Sequence, residues 1–253
     1  MTATTGGFGN DPMLAPRYMN IPTFMRTPLV DDPGNVDIGL IGVPYDNAVT
    51  NRPGARHGPR EVRNASTMMR TIHHVTRIKP YSLCRVGDLG DVPLPHLFDD
   101  AGVVDDIERF FREVAKAGTT PLSIGGDHSI TLPQLRAVAQ KFGPVALIQF
   151  DSHGDVWDEY FGGKDTHGTP FRRAVEEGLL DTSRSSQIGL RGPLYGDEDI
   201  QISHDLGFQV FTADELRRVG LGTVITAVKE RAGEGPCFLT FDIDFVDPAF
   251  APA

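Results

Sequence analysis

Short apolar runs alternate with amphipathic stretches along most of this chain, and that alternation constrains its fold more than any other feature. VDIGLIGV (36–43), TTPLSI (119–124), PVALIQF (144–150), SQIGL (186–190), FQVF (208–211) and CFLTF (237–241) have the length and the turn-bounded ends of buried strands. Between them, GPREVRNAS (58–66), VVDDIERFFREVAKAG (103–118), LPQLRAVAQKF (132–142), PFRRAVEEGLL (170–180), ADELRRV (213–219) and TVITAVKERAG (223–233) read as helices. Pro59 suits a first helical turn. Val103, Ile107, Phe110, Phe111 and Val114 share one helical face, and Gly118 supplies a stop. Strands separated by helices give βαβ units. The expected fold is therefore α/β, a mostly parallel sheet with helices on both faces.

At 253 residues the chain can form one large α/β domain or two small ones. Residues 1–35, rich in Pro, Gly, Thr and Met, read as an extension across the domain or a neighbouring subunit, and 36–253 as a single domain. CFLTF reads as a central strand, yet only DIDFVDPAFAPA follows it. A parallel sheet normally continues through another helix, so the domain is expected to be C-terminally incomplete.

Composition excludes several classes of function. The formal net charge is −10 and no basic patch stands out, which argues against nucleic-acid binding. No apolar run approaches the roughly 18 residues of a membrane helix. The N-terminus lacks the charged and apolar regions of a secretory signal. Cys84 and Cys237, in apolar surroundings, read as buried reduced thiols. Together these point to a cytoplasmic protein.

The chemistry gathers in three polar clusters, GGDHS (125–129), DSHGD (151–155) and DIDFVD (242–247), each directly after an apolar run. The carboxyl ends of parallel strands are where an open α/β sheet binds ligands. In an extended segment, positions i, i+2 and i+4 point the same way. That rule puts Asp151, His153 and Asp155 on one side, with Ser152 and Gly154 on the other, and it pairs Asp242 with Asp244. With His128, two imidazoles and four carboxylates converge. Two like charges about 4 Å apart repel by about 4 kcal/mol at an effective dielectric of 20, so the cluster calls for cations. Six ligands exceed one tetrahedral zinc and suit two metals, and an oxygen-rich set with one His per metal fits Mn²⁺ best, with Co²⁺, Ni²⁺ and Fe²⁺ as the alternatives. Asp127 reads as a helix cap, Asp247 as a turn former, and Asp158 and Glu159 as a solvated loop. There is no G-x-S-x-G elbow, no Walker loop and no G-x-G-x-x-G opening a helix. GDLGD (87–91) is too polar for a dinucleotide turn.

GGDHS, FDSHGD and TFDIDFVDPAFAP closely resemble the metal-binding signatures of the ureohydrolases, the family of arginase, agmatinase, guanidinobutyrase and formiminoglutamase. IGVPYDNAVTNRPGARHGPREVR (41–63) and HGTPFRRAVEEGLL (167–180) resemble its N-terminal and middle segments. The resemblance implies an arginase-like three-layer α/β/α sandwich and two Mn²⁺ ions. By motif matching, one metal takes His128, Asp151, Asp155 and Asp242. The other takes Asp151, His153, Asp242 and Asp244, so Asp151 and Asp242 bridge. Asp155 would also orient the hydroxide nucleophile and help pass its proton to the leaving amine, and His167 would shuttle protons. Ser152 stands where the family usually has Ala, and Thr240 where Ser is common. The family's later Gly-rich loop and its Glu-containing segment, which holds the guanidinium, do not follow Ala253.

The resemblance is stronger to agmatinase and its relatives than to arginase. The first expectation is hydrolysis of agmatine to putrescine and urea by a homo-oligomer, trimeric or hexameric. The alternatives are a guanidinobutyrase or guanidinopropionase acting on an acidic guanidino compound, or a non-catalytic subunit. A single-zinc amide hydrolase resembling the histone deacetylases fits less well, since it leaves the second set of ligands without purpose.

Overall fold

The computed structural model describes residues 15–196 and 198–252. The chain forms two compact units, Met1–Ala137 and Val138–Ala253. Residues 1–14 of the expected extension lie outside the described residues.

In the first unit, β1 (Ile38–Val43) is followed by α1 (Gly58–Ser66), α2 (Pro80–Leu83), β2 (Val86–Asp91), α3 (Asp100–Ala117) and β3 (Thr120–Gly125). The three strands pair in parallel in the order β2-β1-β3. Alternation along β1 covers both faces. Ile41 and Val43 pack with Val103, Ile107, Phe111 and Val114 of α3, whose apolar stripe is the one expected, with Phe110 partly buried beside it. Leu40, on the opposite face, packs with Phe24, Tyr81 and Val86. α3 ends at Gly118, which adopts a left-handed φ of 84° and returns its N–H to Ala115.

The N-terminal segment from residue 15 onward is part of this unit. Phe24 is fully buried, its N–H donates to Asp88 Oδ2 at 2.9 Å, and the Arg63 guanidinium lies 4.0 Å from its ring centroid. Asp88 explains why β2 escaped the sequence reading. VGDLGD is a strand, but a fully buried aspartate interrupts its apolar pattern. Arg63, on α1, compensates that charge with two hydrogen bonds, from Nε at 2.8 Å and Nη2 at 3.0 Å.

The second unit begins inside α4 (Thr131–Phe142) and continues with β4 (Ala146–Phe150), α5 (Pro170–Glu176), β5 (Ser186–Leu190) and α6 (Asp199–Asp205). β6 (Gln209–Thr212), α7 (Ala213–Val219), α8 (Leu221–Ala232) and β7 (Cys237–Phe241) follow. Its strands are parallel in the order β6-β5-β4-β7. Val224 and Val228 of α8 pack with Ile188, Ile148 and Phe150. A reciprocal capping box between Thr212 and Glu215 starts α7. The α/β class with parallel strands holds in each unit.

Two expectations are corrected. β7, read as a central strand, lies at the edge of its sheet. Among the described residues it pairs with β4 alone, and Leu239 and Phe241 are 62% and 51% exposed. Cys84 and Cys237 are free thiols, as expected, but neither is buried, because apolar neighbours in sequence do not guarantee burial at a strand's outer edge or beside a short helix.

Arg63→Ala should strand the buried Asp88 carboxylate and destabilise the protein by about 3–5 kcal/mol. Denaturant unfolding monitored by circular dichroism measures this, and a loss below about 1 kcal/mol would contradict the role given to the pair.

Candidate metal centre

β4 ends at Phe150 and delivers Asp151, which is 1% exposed, into a sharp turn. Asp151 Oδ1 accepts the N–H of His153 at 2.7 Å, and Oδ2 accepts Gln149 Nε2 at 2.9 Å. Gln149 and Gln187 are paired residues in the parallel register of β4 and β5, and both are fully buried. Gln187 Nε2 donates to Gln149 Oε1 at 2.6 Å and to Gly154 O at 2.7 Å, while Gln149 Nε2 also donates to His153 O at 3.1 Å. Two side-chain amides therefore brace the 151–154 turn from beneath. Their sequence signal is a glutamine inside each of two apolar runs, next to the last residue of PVALIQF and second in SQIGL, where a hydrophobic side chain would be the ordinary choice.

The convergence expected from strand alternation comes about differently. The segment after Phe150 is not extended, and Asp155 sits at φ +51°. An aspartate oxygen instead accepts the backbone N–H two residues on, an Asx turn. The same turn ends β7, where Asp242 Oδ1 accepts the N–H of Asp244 at 3.0 Å. In the first unit it follows β3, where Asp127 Oδ1 accepts the N–H of Ser129 at 2.8 Å, which is the capping role expected of Asp127. Ser152 does not simply turn away, since its Oγ lies 3.2 Å from His153 Nδ1.

Asp151, His153 and Asp244 each present a ligand atom within 4.8 Å of the others, and Asp151 and Asp155 approach each other within the same limit. Asp244 Oδ1 accepts the N–H of Ser152 at 3.0 Å, which ties the β7 turn to the β4 turn. Asp242 lies at the base of that β7 turn. His128 opens the short helical turn after β3 in the first unit. His167 lies in the 151–169 loop, its ring edge-to-face with Tyr160 at 5.6 Å. The loop is pinned rather than merely solvated. Buried Arg173 of α5 donates to Asp158 O at 2.8 Å and to Asp158 Oδ1 at 2.7 Å, and Thr169 Oγ1 donates to Lys164 O at 2.7 Å. Asp247 forms the expected turn, its Oδ1 accepting the N–H of Ala249 at 2.9 Å.

The donor chemistry fits a cation. The carboxylates of Asp151 and Asp244 push the His153 pKa up to about 10. By distance Asp244 is the hydrogen-bonding partner, with Nδ1 to Oδ2 at 3.0 Å, while Asp151 Oδ1 stands 3.7 Å away and acts through charge. A proton on this ring therefore fills the place a metal would take. Carboxylates with an imidazole form an oxygen-rich set that suits Mn²⁺ better than Zn²⁺.

Residues 36–253 match the model of the arginase family. The chain belongs to the arginase family. It is 50% identical over 238 residues to the guanidinopropionase of Pseudomonas aeruginosa, covering 94% of this chain and 74% of that protein. It is 41% identical to the mitochondrial agmatinase of Gallus gallus, covering 93% of this chain and 69% of that protein. The solved structure of proclavaminate amidinohydrolase from Streptomyces clavuligerus superposes with a TM-score of 0.89 at 39% identity, over 94% of this chain and 79% of that one. The arginase-family chain is thus a ureohydrolase, a hydrolase of guanidino groups, and Asp151, His153, Asp155, Asp242 and Asp244 lie on two strand-end turns of its second unit.

Asp151→Asn keeps an oxygen for the turn but loses the charge. In the wild-type protein, Mn²⁺ at about 100 times its dissociation constant should stabilise the fold by about 2.7 kcal/mol. The variant should show no such shift in a thermal scan, and an equal shift would exclude Asp151 as a ligand. Because metal uptake must expel the His153 proton, affinity should fall as pH falls. Calorimetry in buffers of differing ionisation enthalpy measures the released proton.

Proposed function

We propose that this ureohydrolase cleaves the guanidino group of a short linear guanidino acid, releasing urea and the corresponding amino acid. The observation that carries the reading is the Asp151-centred donor set in a chain 50% identical to a guanidinopropionase. In this reading two Mn²⁺ ions would be held, with His128, Asp151, Asp155 and Asp242 serving one and Asp151, His153, Asp242 and Asp244 the other. Bound there, the cations would lower the pKa of water towards neutrality and offset the charge that develops on the substrate.

The chain's own residues handle the protons. Asp155 orients the attacking water and accepts its proton as the new carbon–oxygen bond forms. The carbon–nitrogen bond to the alkyl chain then breaks, and the proton passes to the departing amine. His167 exchanges protons between the site and solvent, a role suited to an imidazole in a partly open loop. Asp151 and Asp242 would belong to both donor sets, and the glutamine pair below Asp151 holds that carboxylate in place. Assembly as a homo-oligomer, trimeric or hexameric, in the cytoplasm belongs to the same reading.

Agmatine is the second reading, favoured by the 41% identity to an agmatinase. The two differ in the sign of the substrate's tail. Urea release by the full gene product, with added Mn²⁺, should be measured on 3-guanidinopropionate, 4-guanidinobutyrate, agmatine and arginine. The expected result is a kcat/KM for one of the acids at least about tenfold above that for agmatine, a difference of about 1.4 kcal/mol. The reverse order would establish the second reading. No urea from any of the four would overturn both and leave a non-catalytic subunit.

A further inference from the structure

The cleft floored by His153 and Asp155 has Trp157, Arg191, Leu194 and Asp199 in its walls. Trp157, which lines the cleft, belongs to an aromatic cluster with Tyr160 and Tyr195. The Trp157 ring lies 4.7 Å from Tyr160 and 5.5 Å from Tyr195, and the two tyrosine hydroxyls are 3.2 Å apart. Tyr195 is 78% exposed, so this cluster is not ordinary core. One carboxylate joins its two halves. Asp199, the first residue of α6, accepts the indole N–H of Trp157 on Oδ1 at 3.4 Å and the backbone N–H of Tyr195 on Oδ2 at 2.8 Å. Oδ2 also accepts the N–H of Gly196 at 3.4 Å. The loop after β4, which carries Asp155 and His167, and the loop after β5, which carries Tyr195, are thereby latched to each other.

The far side of the indole is fixed as well. The Trp157 backbone N–H donates to Gly168 O at 3.2 Å, and a side chain added at Gly168 would press on the ring, 2.9 Å from Cε3. The indole, held by its ring N–H to Asp199 and backed by Gly168, is also one of the residues that line the cleft.

We propose that Asp199 is a positioning residue that holds Trp157 as the wall against which the substrate's alkyl tail lies, outside the group that reacts. The proposal rests on the reading of the site as a guanidino hydrolase. Asp199 does not touch the reacting atoms. It fixes a flat apolar surface that excludes water from the methylene chain, and it sets the distance from that surface to His153 and Asp155 on the cleft floor. Losing it should weaken substrate binding and leave the chemical step largely intact.

Trp157 is the chain's single tryptophan, so its fluorescence reports on this contact alone. In Asp199→Ala the freed indole should emit at longer wavelength and be quenched more strongly by acrylamide, with an unchanged far-ultraviolet spectrum as evidence of folding. Asp199→Asn, which has one carbonyl oxygen for two sets of donors, should fall between the two. In urea assays KM should rise about tenfold, the scale of one hydrogen bond to a charged group, with kcat within about threefold of wild type. Unchanged emission and quenching would overturn the latch, and a fall in kcat at constant KM would overturn the tail wall. If wild-type protein released no urea, the functional reading would fail, and with it the tail wall, while the fluorescence comparison would still uphold or overturn the latch by itself.

Discussion

The second unit is organised around one buried carboxylate. Asp151 is 1% exposed, and a bare anion at that depth would be prohibitively costly. Three kinds of compensation surround it: a backbone amide two residues on, a side-chain amide from the strand below, and the imidazole of His153 at a longer distance. Each arranges something else. The backbone amide fixes the turn that ends β4. Gln149 recruits Gln187 and so couples β4 to β5. His153, drawn towards Asp151 and Asp244 together, brings the β7 turn to the β4 turn. These contacts partly neutralise the charge and leave room for a cation, the usual arrangement for a preorganised metal site.

The loops beyond this centre are built to different standards. The 151–169 loop is fastened at several points, by Arg173 to Asp158 and by the hydroxyl of Thr169. Arg173 donates to a backbone carbonyl and a carboxylate together, so it fixes both the position and the direction of the chain there. The loop after β5 is fixed at its base, where the N–H groups of Arg191 and Gly192 donate to Ser152 O and the Arg191 guanidinium donates to Phe245 O at 3.0 Å and Val246 O at 3.1 Å, whereas among the described residues its outer part is held by the carboxylate of Asp199 and a hydroxyl contact between two tyrosines. A fixed loop with the proton-handling groups facing a more lightly held loop tip is a sensible division. The chemical step tolerates little displacement, whereas recognition of a substrate tail requires entry and release.

Most of the strand and helix pattern could be read from periodicity, because long amphipathic stretches such as that of α3 and turn-bounded apolar runs such as SQIGL leave few alternatives. The polar clusters after the apolar runs could be read too, and three of their residues, Asp151, His153 and Asp244, present ligand atoms within 4.8 Å of one another. What could not be read depended on partners distant in sequence. β2 was hidden because Asp88 is buried only by virtue of Arg63, 25 residues earlier. The edge position of β7 and the exposure of both cysteines depend on which strands pair, not on local composition. The alternation rule does not describe the segment of Asp151, His153 and Asp155, since a side-chain-to-backbone turn, not pleating, shapes it. Asp199 gave no sign in the sequence, as one acid among 34 acidic residues.

The recurring turn has an evolutionary consequence. After β3, β4 and β7 the aspartate that begins the polar cluster shapes the backbone with one carboxylate oxygen. An asparagine has the same oxygen in the same place and could shape the same turn, and a single base change in the codon converts one to the other. Architecture and charge can therefore be inherited separately at these positions. A descendant could keep this scaffold intact, with its sheets and cleft, while losing its cations in one mutational step. Paralogues that fold like hydrolases yet serve only as binding or assembly partners are, for a site built this way, near neighbours in sequence space.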